Sequence, residues 1–157
     1  MDFFISFHTE VLPVKTWQEK KGFFVPWNLN CALCPTPETL QHVFIFCPNA
    51  ELFWADLRSK LQVDLYMDWH SAKYLEFGTG PDSKCYEVLA LLGLHAIWKS
   101  RTDHLLILEG GKPAWRHFEE SFMITTSLVA AAKNCELDGW SDLAARLKAP
   151  RPLRSQR

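Results

Sequence analysis

The sequence has almost no net charge, no long apolar run and no catalytic signature, and each absence removes a class of function. Lysine and arginine total 17 against 18 aspartate and glutamate, a formal charge of −1. So even a balance argues against a strongly electropositive nucleic-acid binder. The most apolar run, Val88 to Trp98, is much too short for a bilayer span of about 20 residues. The first residues, MDFFISFHTE, have no basic start, too short an apolar core for a signal peptide and no small-residue cleavage site. A soluble, intracellular chain, nuclear or cytoplasmic, is therefore expected, with no membrane partner. There is no internal repeat, glycine-rich phosphate loop, nucleophile elbow or helix pairing histidines with a catalytic glutamate. No set of nucleophile, base and oxyanion donors stands out. The chain reads as a non-enzyme without a small-molecule substrate.

Cysteine is scarce, and its number, five, is odd. That usage points to a reducing compartment rather than a disulfide scaffold. Three of the five lie with one histidine in CALCPTPETLQHVFIFC, at Cys31, Cys34, His42 and Cys47. The spacing is C-x2-C, seven residues, then H-x4-C. Three thiols and an imidazole are the donor set of a closed structural zinc site, and four such ligands satisfy the ion tetrahedrally. One structural Zn²⁺ is the cofactor expected, with no position left for water or substrate. Bound as thiolates, the cysteines would make the protein slightly more negative. The alternatives are buried cysteines beside an unrelated histidine, or a disulfide framework. The surrounding residues predict a helix capped by Thr36, with Pro37 in its first position and Glu38 in its first turn, running to about Phe46.

Hydrophobic residues make up 48% of the chain, with seven Trp and eleven Phe. That supply suits a well-filled core, or one large face that expects a partner. The expected fold is mainly α: a small zinc knuckle between two helices, followed by an all-helical extension. Residues 1–10 have no clear period and fit an edge strand or an apolar arm. An abrupt aromatic start also fits a chain cut from something longer. A first helix is expected from Leu12, with Val14 and Trp17 facing inward, Lys20 and Lys21 in its last turn and Gly22 as its stop. Lys15, Lys20 and Lys21, interleaved with Trp17 and Trp27, carry the ingredients of phosphate contact and base stacking. Lys15, Lys20, Lys21 and Trp27 are therefore the candidate nucleic-acid residues. The alternative is a solvated lysine face over core tryptophans, diluted by Glu10 and Glu19.

After Cys47 the sequence predicts a helix whose stripe is Ala50, Phe53, Trp54, Leu57 and Leu61. Residues 1–62 then form the zinc module. Residues 63–82 read as a linker region, ending in the breaker cluster GTGPD. A helical extension follows over 83–148: a central helix from Asp82 or Ser83 to about Leu108, a second over 113–134 and a short third over about 140–148. His95, inside the apolar run, reads as a hydrogen-bonded core histidine. Cys85 and Cys135 read as structural. Residues 149–157 read as a disordered basic tail.

The stretch LPVKTWQEKKGFFVPWNLNCALCPTPETLQHVFIFCPNAELFW resembles the zinc-binding domain that follows the reverse transcriptase of non-LTR retrotransposons. The features shared are Leu12–Pro13 at a helix start, the Cys31–Cys34 pair, Glu38–Thr39 before His42, and Cys47 followed by a helix carrying Phe53–Trp54. The likeness covers about residues 11–62, roughly a third of the chain. LLGLHAIWKSR at 91–101 looks like the helical extension after such knuckles. The resemblance implies a module that holds RNA template or target DNA beside a reverse transcriptase, without chemistry of its own. The chain carries no polymerase and no adjacent aspartates for a polymerase's two metals. A fragment or stranded copy of an element's C-terminal region is expected. A protein-interaction scaffold, whose aromatic faces packed on the polymerase, is the alternative.

Overall fold

A computed structural model describes residues 2–26, 28–105, 111–132 and 137–150. Trp27, Cys135, the end of the expected central helix and most of the expected basic tail lie outside the described residues. The fold is helical, with no strand among the described residues and one isolated antiparallel bridge, Asn30 to Pro37. Its elements are α1 (Phe3–His8), α2 (Lys15–Lys20), a π-helical turn (His42–Phe46), α3 (Pro48–Leu61), α4 (Trp69–Tyr74), α5 (Ser83–Leu105), α6 (Ala114–Ala131) and α7 (Trp140–Lys148).

The N-terminus is a helix rather than a strand or an arm. Asp2 is the reason: its carboxylate accepts from the Phe4 and Ile5 amides at 2.8 and 3.4 Å, capping the first turn. One turn then buries Phe7 completely and sets Phe3 over the His95 ring of α5, centroids 4.8 Å apart. α2 starts three residues later than the sequence suggests, because Val14 stays extended (φ −70°, ψ 159°). It ends where expected, at Gly22 with φ +81°.

α3 buries Ala50, Phe53, Trp54, Leu57 and Leu61, the stripe read from its spacing. Leu65, Met67 and Ala72, in and around the short α4, are buried too. α4 is capped by Asp68, which accepts from the Ser71 amide at 2.7 Å. α5 and α6 form the principal helix pair. α5 also crosses α3, the π-turn and α1, while α7 packs on α3. The core therefore runs without interruption from Phe7 and Phe44 through Trp54 and Leu94 to Phe118 and Leu143. The 78–82 connection lies outside it.

α3 and α5 pack closely at Gly93. A β-carbon there would come within 2.7–2.8 Å of Phe53 Cε1 and of Trp54 Cη2 and Cζ3. Both rings are buried and cannot swing away. Gly93→Ala should therefore overpack the crossing and cost about 1–3 kcal/mol. Urea denaturation of the zinc-loaded protein is the check, and an unchanged midpoint would show that the crossing has slack.

Candidate metal centre

Cys31 and Cys34 sit on a knuckle closed by backbone hydrogen bonds. The Cys31 amide donates to Thr36 O at 2.7 Å, the Thr36 amide to Cys34 O at 2.9 Å, and the Glu38 amide to Leu29 O at 2.8 Å. Pro37 is in this hairpin-like loop, so the helix expected from Pro37 begins only at Leu40. The cap belongs to Thr39, whose hydroxyl accepts from the His42 amide at 3.1 Å. Thr36, the cap read from the sequence, is spent on the knuckle.

The next turn is a π-turn, and the metal site explains the local geometry. In an α-helix, residues five apart lie about 140° from one another around the axis. A π-turn closes an i→i+5 bond and narrows that angle, bringing such residues toward one face. That bond is made by the Cys47 amide to His42 O, at 2.7 Å. It is the spacing of the two downstream ligand-type residues. Phe44 O has no helical donor, since the residue four on is Pro48 with no N–H, and it accepts instead from buried Trp54 Nε1 at 2.8 Å.

The four candidate donor atoms, three sulfurs and one ring nitrogen, all lie within 4.8 Å of one another. Cys31 Sγ is 3.9 Å from Cys47 Sγ, and Cys34 Sγ is 3.0 Å from His42 Nε2. Two sulfurs on one tetrahedral zinc are about 3.8 Å apart, given Zn–S bonds of about 2.3 Å. A disulfide needs about 2.05 Å, and Cys31, Cys34 and Cys47 are all free thiols. The cluster is suited to one structural Zn²⁺. Its four protein donors complete a tetrahedral shell, so such an ion keeps no position for a reacting water.

The environment favours thiolate at Cys31, where the Leu33 amide donates to its Sγ at 3.4 Å. Cys47 sits at the start of the 14-residue α3. Without metal the two facing thiols share one proton. The hydrogen bond from Cys47 lowers Cys31 to about 4, and the same bond pushes Cys47 up. At neutral pH zinc would thus displace a proton from Cys47, and its affinity would rise with pH.

The candidate nucleic-acid residues are placed unequally. Lys15 is half-buried, and its Nζ donates to Asn30 O at 2.7 Å, so it braces the knuckle. Lys20 and Lys21 are exposed, with the Lys21 ammonium 6.0 Å from the Trp17 ring centre. Trp17 stacks on Phe23, and Phe23 and Phe24 are both exposed.

One residue set escaped the sequence reading. Glu38 is completely buried and receives the Arg101 guanidinium at both oxygens, Nε donating to Oε2 at 3.2 Å and Nη2 to Oε1. Glu38 Oε1 also accepts from the Lys15 amide at 2.9 Å, capping α2 across 23 residues of sequence. Arg101 lies over the Trp98 ring, 4.5 Å from its centre. No periodicity links residues 38 and 101, and Glu38, read from the sequence as a first-turn helix acid, lies before the helix and serves as the buried counter-charge of Arg101.

Comparison with models of known families, with curated proteins and with solved structures finds no match. Among the described residues no helix is long and apolar enough to cross a membrane.

Two predictions follow from the site. Cys34→Ser or His42→Ala should abolish stoichiometric zinc binding and unfold the knuckle, because metal binding in so small a unit is largely folding free energy. Equal circular dichroism and melting for variant and parent would contradict this. Glu38→Gln should retain zinc yet cost about 3–5 kcal/mol, since it leaves the Arg101 cation buried without its counter-charge. Urea titration at fixed zinc is the measurement. The double change Glu38→Gln, Arg101→Met should recover part of the loss.

Proposed function

We propose that this protein is a zinc-stapled helical module of retroelement origin, with nucleic-acid binding, to RNA template or target DNA, as its inherited role. The observation that carries this reading is the closed Cys31, Cys34, His42, Cys47 cluster next to a surface where exposed Lys20 and Lys21 meet Trp17, Phe23 and Phe24. Cations supply phosphate contacts, and aromatic rings supply sequence-tolerant stacking. The likeness of residues 11–62 to the zinc-binding domain beside non-LTR reverse transcriptases supports the same role, and a reverse transcriptase is the natural neighbour. The metal organises the surface and performs no reaction.

A second reading has its own observation. Phe46 and Leu52 are exposed on the π-turn and α3, and Met123, Ile124 and Leu128 along α6. Such faces suit a scaffold whose partner is another protein.

Salt separates the two, because phosphate contacts release counterions. Zinc-loaded protein should bind single-stranded RNA or duplex DNA with an affinity that falls on going from about 50 to 200 mM salt. Fluorescence anisotropy reads this directly. One zinc per chain with no binding at either salt would leave the scaffold reading.

A further inference from the structure

Beside α2 the surface opens into a cleft of about 430 Å³ between Trp17 and Lys20, the Thr39–Gln41 segment and Trp69 at the start of α4. That volume is in the lower range of small-molecule pockets. Two indoles line it, and both are held by other rings. Trp17 stacks on Phe23 at 6.1 Å and 18°, and Trp69 meets Phe7 edge-on at 5.6 Å. The apolar floor includes buried Val14.

The polar part of the wall is fixed as well. The Thr16 hydroxyl donates to Glu38 O at 2.8 Å, and the Thr39 hydroxyl accepts from the His42 amide at 3.1 Å. Each keeps an acceptor or a donor for a guest. The Gln41 amide is exposed and has no hydrogen-bond partner among the described residues. The one carboxylate on the wall, Glu10, is bound by Lys73 at 2.9 Å, so its charge is compensated. The net charge offered at the mouth is that of Lys20, with Lys21 in the next position on the chain.

We propose that this cleft takes one unpaired nucleobase of a single strand, a proposal that rests on the nucleic-acid reading above and specifies it. The base lies among the indoles, the Gln41 amide meets its hydrogen-bonding edge, and Lys20 and Lys21 hold the flanking phosphates. Unpaired bases are bound by stacking on aromatic side chains and by hydrogen bonds along their edges. A base locked in a duplex cannot enter, so the site selects single strands.

The test uses the zinc-loaded full chain and three fluorescent probes of equal phosphate number: a single-stranded oligonucleotide, its abasic counterpart and a blunt duplex. The base-bearing strand should bind at least about fivefold tighter than the abasic one, the lower end for one stacked base, and quench tryptophan fluorescence. Gln41→Ala, at an exposed position, should shrink that ratio and leave the salt slope unchanged. Lys20→Glu should weaken all three probes and flatten the slope. Equal affinity for abasic and base-bearing strands would overturn the pocket and leave nucleic-acid binding standing. Should no probe bind, adenosine monophosphate titrated against tryptophan fluorescence decides separately. Quenching that Gln41→Ala weakens would keep the pocket while the polymer-binding role fell, and silence would remove both. Preference for an aromatic peptide over the nucleotide would also overturn the proposal.

Discussion

The carboxylate of Glu38 has no contact with solvent, and groups from two distant segments, Lys15–Thr16 and Arg101, converge on that residue. Its oxygens accept from the Lys15 amide and from the Arg101 guanidinium, while its peptide carbonyl accepts the Thr16 hydroxyl. A charge so placed is costly unless every lone pair is engaged. The arrangement is therefore nearly all-or-none. If α5 shifts, Glu38 loses its counter-ion. If the knuckle shifts, Arg101 is stranded and α2 loses its cap. Burial of one ion pair thus fixes the angle between the knuckle and the central helix, which apolar packing alone would set less sharply.

Zinc completes that constraint from the other side. The knuckle itself is thinly covered: Ala32, Leu33, Pro35, Thr36 and Pro37 are all exposed. The opposite pair of ligands belongs to a turn whose Val43, Phe44 and Ile45 are buried in the main core. A metal bound by all four residues would tie a loop with little hydrophobic stabilisation to an element that has much. The π-turn suits this arrangement. It bonds the Cys47 amide to His42 O, and Phe44 O, left without a helical donor by Pro48, is satisfied by Trp54. The cost of irregular backbone is offset by an indole that also fills the core beside Gly93.

Local patterns made much of this legible. The ligand spacing, the α3 stripe and the stop at Gly22 each depend on residues within a few turns of one another, and each appears as read. The cysteine–histidine spacing was informative because few other structures need four such donors in 17 residues. One misplacement comes from a choice between neighbouring polar residues. Thr36 and Thr39 are both acceptable caps, and the Asn30–Pro37 bridge, which closes the knuckle's own loop, leaves the role to Thr39. Asp2 was overlooked because the phenylalanines after it show no period over a single turn. The Glu38–Arg101 pair was beyond reach, since 63 residues separate the partners and only the docking of α5 against the knuckle brings them together.

The near-zero charge of the whole chain is a poor guide to what its surface can hold. At physiological salt a charge is felt over about 8 Å, so the balance that matters is local. Around α2 the acids are largely committed: Glu38 to Arg101 inside, Glu10 to Lys73 at the rim. Lys20 and Lys21 remain exposed, opposed on the same helix by Glu19. Two or three cations still make a modest electrostatic site. Each phosphate neutralised contributes a salt slope of about 0.7–0.9, so a strand held here would show a total slope of only about −2. Charge at that level orients a strand without holding it tightly. The remaining affinity has to come from the rings, and the cleft between Trp17 and Trp69 is where the described surface places two of them beside the exposed Gln41 amide and the Lys20 ammonium.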